Sequence, residues 1–158
     1  MQQSIRVTFF SLFFSVPFFF SSLALGAEPY PNAITTDQRI QLEQTWEQSL
    51  TRYANELAAA FDKSMPGNYR YFGEWKVKQW NPVFDREQTQ VSKQFMALAK
   101  RNTTEYTRLR NLNNAYVRLG IMANSMMTAL RTQKRKDLEQ VQTHMNDFSK
   151  LVQPALVH

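Results

Sequence analysis

The chain of 158 residues contains no cysteine. That excludes a disulfide framework, a cysteine nucleophile, a Cys-x-x-Cys-His haem attachment and a lipid-modified cysteine of the bacterial lipoprotein kind. Histidine is almost as scarce. His144 and the terminal His158 are the only two, so no Glu-x-x-His or His-x-x-x-His pair exists to found a metal site. Four glycines occur, and none belongs to a phosphate-cradling loop or a Gly-x-Ser-x-Gly turn. These absences remove the common routes to catalysis, and the chain reads as non-enzymatic. Cationic residues are dispersed, with Lys134-Arg135-Lys136 as the longest run.

Apolar runs are short as well. The longest, Val7 to Phe20, holds seven phenylalanines interrupted by serines and Pro17, fewer residues than the roughly 20 of a membrane span. Arg6 precedes it, and Ser21-Ser22-Leu23-Ala24-Leu25-Gly26-Ala27 supplies small residues after it. This pattern predicts a secretory signal peptide over residues 1–27, cut near Gly26 or Ala27; an uncleaved N-terminal anchor is the alternative. Without Arg6 the chain carries 18 basic and 13 acidic residues, net +5. A charge of that size suits an anionic partner, a membrane surface or plain solubility. The expected location is bacterial, periplasmic or secreted, where nucleic acid is not the expected ligand.

What the chain does have is seam. Alternating steps of four and three from Phe84 give Phe84, Gln88, Val91, Phe95, Leu98, Asn102, Glu105, Leu109, Leu112, Tyr116, Leu119, Ala123, Met126 and Leu130. Of these 14 positions 11 are apolar, which is the stripe of a helix that packs along a partner. Arg86, Lys93, Lys100, Arg110, Asn114 and Arg118 fill the opposite face. The unbroken phase predicts one long helix from Pro82 to Arg131. Asn102-Thr103-Thr104-Glu105 is also a capping-box pattern, so the alternative is a break near Asn102. On the seam, Asn102 would otherwise fix register and Glu105 would form a polar layer.

Before this stretch, Glu28-Pro29-Tyr30-Pro31-Asn32 reads as an extended leader over 28–36, because two prolines disfavour helix. Thr35 or Thr36 can then cap a helix from Asp37 to Lys63 whose seam is Trp46, Leu50, Tyr53, Leu57 and Ala60, widened by Ile40 and Phe61. Ser64-Met65-Pro66-Gly67 is a turn signal. Asn81-Pro82 reads as N-cap and first helical residue of the long helix. A last helix shows Leu138, Val141, Met145, Phe148 and Val152, with Asp137 and Gln140 as a second capping box, and ends before Pro154. Its seam is one residue out of phase with Leu130, which places a tight connection at 132–136. The tail 154–158 is expected to fray. The fold expected over 37–153 is a single all-α domain. It is an antiparallel helical bundle of three helices with a long central one, or four if the break is real. Ala115, Met122 and Met127 flank the central stripe, and Gly120 permits close approach.

His144 beside Met145, with Met122, Met126 or Met127 across the bundle, would be the ligands of a metal- or haem-binding alternative, and the methionines could hold Cu(I). Thioethers as core fillers account for the same residues, so no cofactor is expected. The segment Asn68 to Trp80 has no helical period but is rich in aromatics, with three cations against one Glu. Tyr69, Arg70, Tyr71, Phe72, Trp75, Lys76, Lys78 and Trp80 have the composition of an interface. They are the expected partner-binding residues, for an envelope protein or peptide. Closing the end of the bundle as a local core is the competing role. An anionic membrane or the cell wall is the alternative partner.

Ile34-Thr35-Thr36-Asp37-Gln38-Arg39 resembles the Leu-Thr-x-x-Gln motif of the small helical periplasmic stress chaperones, which are exported, basic, cysteine-poor and all-helical. The likeness covers six residues, with Ile in place of Leu, and no second copy of the motif follows. Helix capping alone produces the same pattern, and membership is not drawn from it. The expected function is that of an exported adaptor, assembly subunit or chaperone-like factor.

Overall fold

The computed structural model describes residues 34–99 and 106–153. Residues 1–33, the Asn102–Glu105 capping pattern and the tail 154–158 lie outside these described residues. The helices are α1 (Thr36–Ser64), α2 (Tyr69–Trp75), a π-helical turn (Lys76–Trp80), α3 (Asn81–Ala99), α4 (Thr107–Thr132) and α5 (Arg135–Val152). Because α2, the π turn and α3 follow without a gap, four rods make the all-α bundle.

The long seam folds back on itself. The Phe84 ring lies 3.5 Å from where a Cβ on Gly120 would be, and Ser92 Oγ lies 3.1 Å from Asn113 Oδ1. In one continuous helix Phe84 and Gly120 would be roughly 54 Å apart at about 1.5 Å per residue. The single long helix is therefore corrected to an antiparallel pair, α3 and α4. A seam in constant phase is equally satisfied by two helices that pack on each other.

The four rods alternate in a consistent sense. Phe61 meets Phe72 and Tyr53 meets Phe84, so α1 runs antiparallel to α2 and α3. Arg118 lies 3.8 Å from Asp147 and Arg108 reaches Leu151, so α5 runs antiparallel to α4. α4 touches α1, α2, α3 and α5. That central place explains its wide apolar face, on which Leu109, Leu112, Ala115, Tyr116, Leu119 and Met126 are among the buried residues. On α5 only Val141 is fully buried; Leu138, Met145, Phe148 and Val152 pack half-buried against the core. The first seam is buried as expected from Trp46 to Phe61, whereas Ile40 is exposed.

Residues 68–80 do not form the connecting loop expected from the sequence. They are helical, and Asn81, at φ −53° and ψ −47°, lies inside the run rather than capping it. The inward aromatic spacing explains the difference. Phe72, Trp75, Trp80 and Phe84 step by three, five and four, and the five is one residue too long for an α-helical seam. The π turn absorbs that residue: the Asn81 amide reaches back to the Lys76 carbonyl, a wide turn of the kind that often marks functional or strained positions. Pro82 follows at once. It has no amide hydrogen for the ladder, and the widened turn stands where that donor is missing.

Local signals decide the ends. Thr35 accepts the Gln38 amide at 3.2 Å, and Gln38 Oε1 accepts the Thr35 amide at 2.9 Å. The six-residue motif is thus a working capping box. The second capping box does not form. Lys134 is the N-cap of α5 without a side-chain cap, and the Asp137 carboxylate takes the Thr132 hydroxyl instead. Gln133 makes the reversal in the left-handed region at φ 54°.

Candidate functional site

Asn68 caps α2 by accepting the Tyr71 amide at 3.2 Å. This fixes the rotation of the aromatic segment and divides its residues among three environments. Phe72 and Trp80 are core, at 0% and 3% exposure. Tyr69, Arg70 and Lys78 are exposed, and Lys78 lies 3.7 Å from Glu74. Tyr71, Trp75 and Lys76 are half-buried at the border. Burial pushes the Lys76 ammonium below its ordinary pKa, partly offset by Asp85.

The buried rings continue into the bundle as a ladder. Phe72 contacts Trp75 at 5.8 Å between centroids, Trp75 contacts Trp80 at 6.3 Å, and Trp80 stacks on Phe84 at 4.2 Å. Such pairs add to the value of the area they bury. Phe72 and Trp80 therefore hold α2 and the π turn on α1.

The border residues form a groove. Tyr71, Trp75, Gln79 and Trp80 line one wall, and Glu56, Ala59, Ala60 and Lys63 of α1 line the other, enclosing a cavity of about 390 Å³ open to solvent. The α1 wall is low because alanines fill it between Glu56 and Lys63. The Lys63 ammonium sits 4.8 Å over the Tyr71 ring, a cation–π contact that holds one end of the groove. The Trp80 indole Nε1–H is buried and meets no acceptor among the described residues. Of the eight expected residues, the fold brings Tyr71, Trp75 and Trp80 into the groove and leaves Tyr69, Arg70, Phe72, Lys76 and Lys78 outside its lining.

Two polar clasps escaped the sequence reading. Glu87 accepts the Tyr53 hydroxyl at 2.6 Å and the Tyr116 hydroxyl at 2.9 Å. Arg52 approaches the same carboxylate at 3.3 Å. α1, α3 and α4 thus meet on one side chain. Desolvation, followed by the hydrogen bond and charge of Glu87, holds the Tyr53 phenol above its ordinary pKa. Desolvation, then the Glu87 charge, does the same to Tyr116. Protonated, buried phenols are donors rather than bases, so this cluster ties helices together.

The second clasp is Arg108. Its guanidinium donates to the carbonyls of Leu151 at 3.1 Å, Val152 at 2.6 Å and Gln153 at 3.0 Å, and to Glu47 at 2.8 Å. These carbonyls belong to the end of α5, which lacks donors of its own.

His144 faces Arg118, whose Nη1 lies 3.3 Å from its Nδ1. Met122 and Met126 are buried, and Met127 Cε lies against Gly73 of α2. Among the described residues no group of three His, Cys, Asp or Glu side chains converges, and no helix is long and apolar enough to cross a membrane. The chain matches no family model, no curated protein and no solved structure, so any functional reading rests on the residues and their geometry.

Proposed function

We propose that this chain is an exported, non-enzymatic helical-bundle protein that binds another protein of the cell envelope through the groove between α1 and α2. The supporting observation is the groove itself: half-buried Tyr71 and Trp75 on one wall, alanines on the other and a charge at each end of the α1 wall. Interface hot spots have this make-up, an aromatic anchor beside a pocket with a polar rim. At about 390 Å³ the space suits a short peptide segment or one or two large side chains. Export rests on the Arg6, apolar and small-residue succession of residues 1–27. An adaptor, an assembly subunit and a chaperone-like factor all use such a groove.

The test has two arms. Intact-mass measurement of the protein from the cell envelope should give an N-terminus between Ala24 and Pro29; an uncut chain held in the inner membrane contradicts export. Affinity capture from envelope extract should yield a protein whose binding is measured by titration. Tyr71→Ala should weaken that binding by about 2 kcal/mol, roughly thirtyfold. Unchanged affinity would remove the groove from the interaction.

A further inference from the structure

The end of the bundle beyond the groove gathers residues that lie far apart in sequence. Gly67, at φ +113°, sits directly beneath Gln133, whose side-chain amide fills the place of a Cβ. This contact sets the turn between α1 and α2 against the turn between α4 and α5. Met65, 43% exposed, and Tyr69, 37% exposed, protrude from the first turn, with Arg70 exposed beside them. Lys134, Arg135 and Lys136 are all exposed on the second. Lys63 and Arg131 lie in the last turns of α1 and α4 at the same end.

The nearby carboxylates offset only part of this charge. Asp62, Asp137 and Glu139 stand against Lys63, Arg70, Arg131, Lys134, Arg135 and Lys136, with Glu139 paired to Arg135 at 2.8 Å, so the end stays net positive. The surface is made of two turn tips whose apolar and aromatic side chains are exposed among cations, and a bilayer yields to such a tip.

We propose that this end docks on a bilayer containing anionic phospholipid. Met65 and Tyr69 enter the headgroup region, where a thioether and an amphipathic ring are at home, and the surrounding cations meet lipid phosphates. Of the residues named for this surface only Lys63 also lines the groove; the turn tips lie outside its lining, and their use does not depend on what the groove holds.

The absence of cysteine makes the test specific. In the processed chain as isolated from the cell envelope, Met65→Cys carries a polarity-sensitive fluorophore, and Gln142→Cys, exposed on the middle of α5, carries the same dye as a control. Vesicles of phosphatidylglycerol and phosphatidylcholine should shift the emission at position 65 to the blue and leave position 142 unchanged. The shift should vanish with phosphatidylcholine alone and in about 0.5 M salt, where screening is nearly complete. Replacing Lys134, Arg135 and Lys136 together by Gln should weaken vesicle binding about a hundredfold, from the loss of three cations near an anionic surface. Equal shifts at both positions, a shift on neutral vesicles, or no shift would overturn the proposal. So would binding of the tip to a soluble polyanion such as heparin without binding to vesicles.

Discussion

Removing the Glu87 carboxylate takes the acceptor away from two phenols at once. Tyr53 and Tyr116 are 1% and 0% exposed, and both donate to this one side chain. A buried donor left without its acceptor costs about 1–3 kcal/mol, so Glu87→Ala should lose roughly 2–6 kcal/mol across the pair. Arg52 contributes little to that figure. Its side chain is 52% exposed, and water takes over from an exposed ion pair at a cost of about 0–1 kcal/mol. Glu87→Gln keeps one acceptor oxygen and should lose less than Glu87→Ala. Urea unfolding followed by circular dichroism measures these differences, with an unchanged slope showing that the denatured state is the same. In the Glu87→Ala background, changing Tyr53 and Tyr116 to Phe should recover part of the loss, because the hydroxyls that lost their acceptor are gone.

The same phenols set an alkaline limit. Both pKa values are raised in the folded state above the ordinary 10.0. Above pH 10 the unfolded chain releases these protons while the folded chain keeps them, so stability falls as pH rises. For two phenols the slope is about 2.7 kcal/mol per pH unit. The Tyr53→Phe, Tyr116→Phe double variant should flatten it. A Glu87→Ala loss below about 0.5 kcal/mol, or an alkaline slope that survives the double variant, would refute the network.

Two further perturbations probe the ends of the rods. Arg108→Ala should cost about 2–4 kcal/mol, since it removes charge-assisted bonds to three α5 carbonyls and to Glu47; Arg108→Lys should recover only part, because an ammonium lacks the planar fork. Amide exchange should show α5 fraying first from 148–153. Gly67→Ala should lose more than about 1 kcal/mol in thermal melting, because a side chain at φ +113° is strained and meets Gln133.

The parts of the fold that were legible in the sequence are those written as regular seams. α1, α4 and α5 are readable because their apolar residues recur at three and four without interruption, and the Thr35 cap is readable because it lies within three residues. The α3–α4 reversal was legible only as the alternative that the Asn102–Glu105 capping pattern offered, because phase is conserved through it and nothing in periodicity distinguishes a partner helix from the same helix folded back. The aromatic segment was misread for a definite reason. One extra residue between Trp75 and Trp80 breaks a 3.6-residue period, and only a π turn restores it. For the site, composition pointed to Tyr71 and Trp75 but could not separate them from Phe72, whose burial depends on the rotation that the Asn68 cap sets. Glu87 and Arg108 were invisible because their partners are 29 to 61 positions away. The one available hint was a pair of seam tyrosines, whose hydroxyls need an acceptor inside a core.

The claim that matters most is that the α1–α2 groove is where a partner binds, and Ala59→Gln tests it most directly. Ala59 lines the groove and is exposed. A longer, helix-compatible side chain there fills the space without removing an atom from the core. Titration of the captured envelope partner against this variant should show at least a tenfold loss of affinity, about 1.4 kcal/mol, with the melting temperature of wild type. Full affinity in Ala59→Gln, with the groove occupied by its own side chain, would contradict the account.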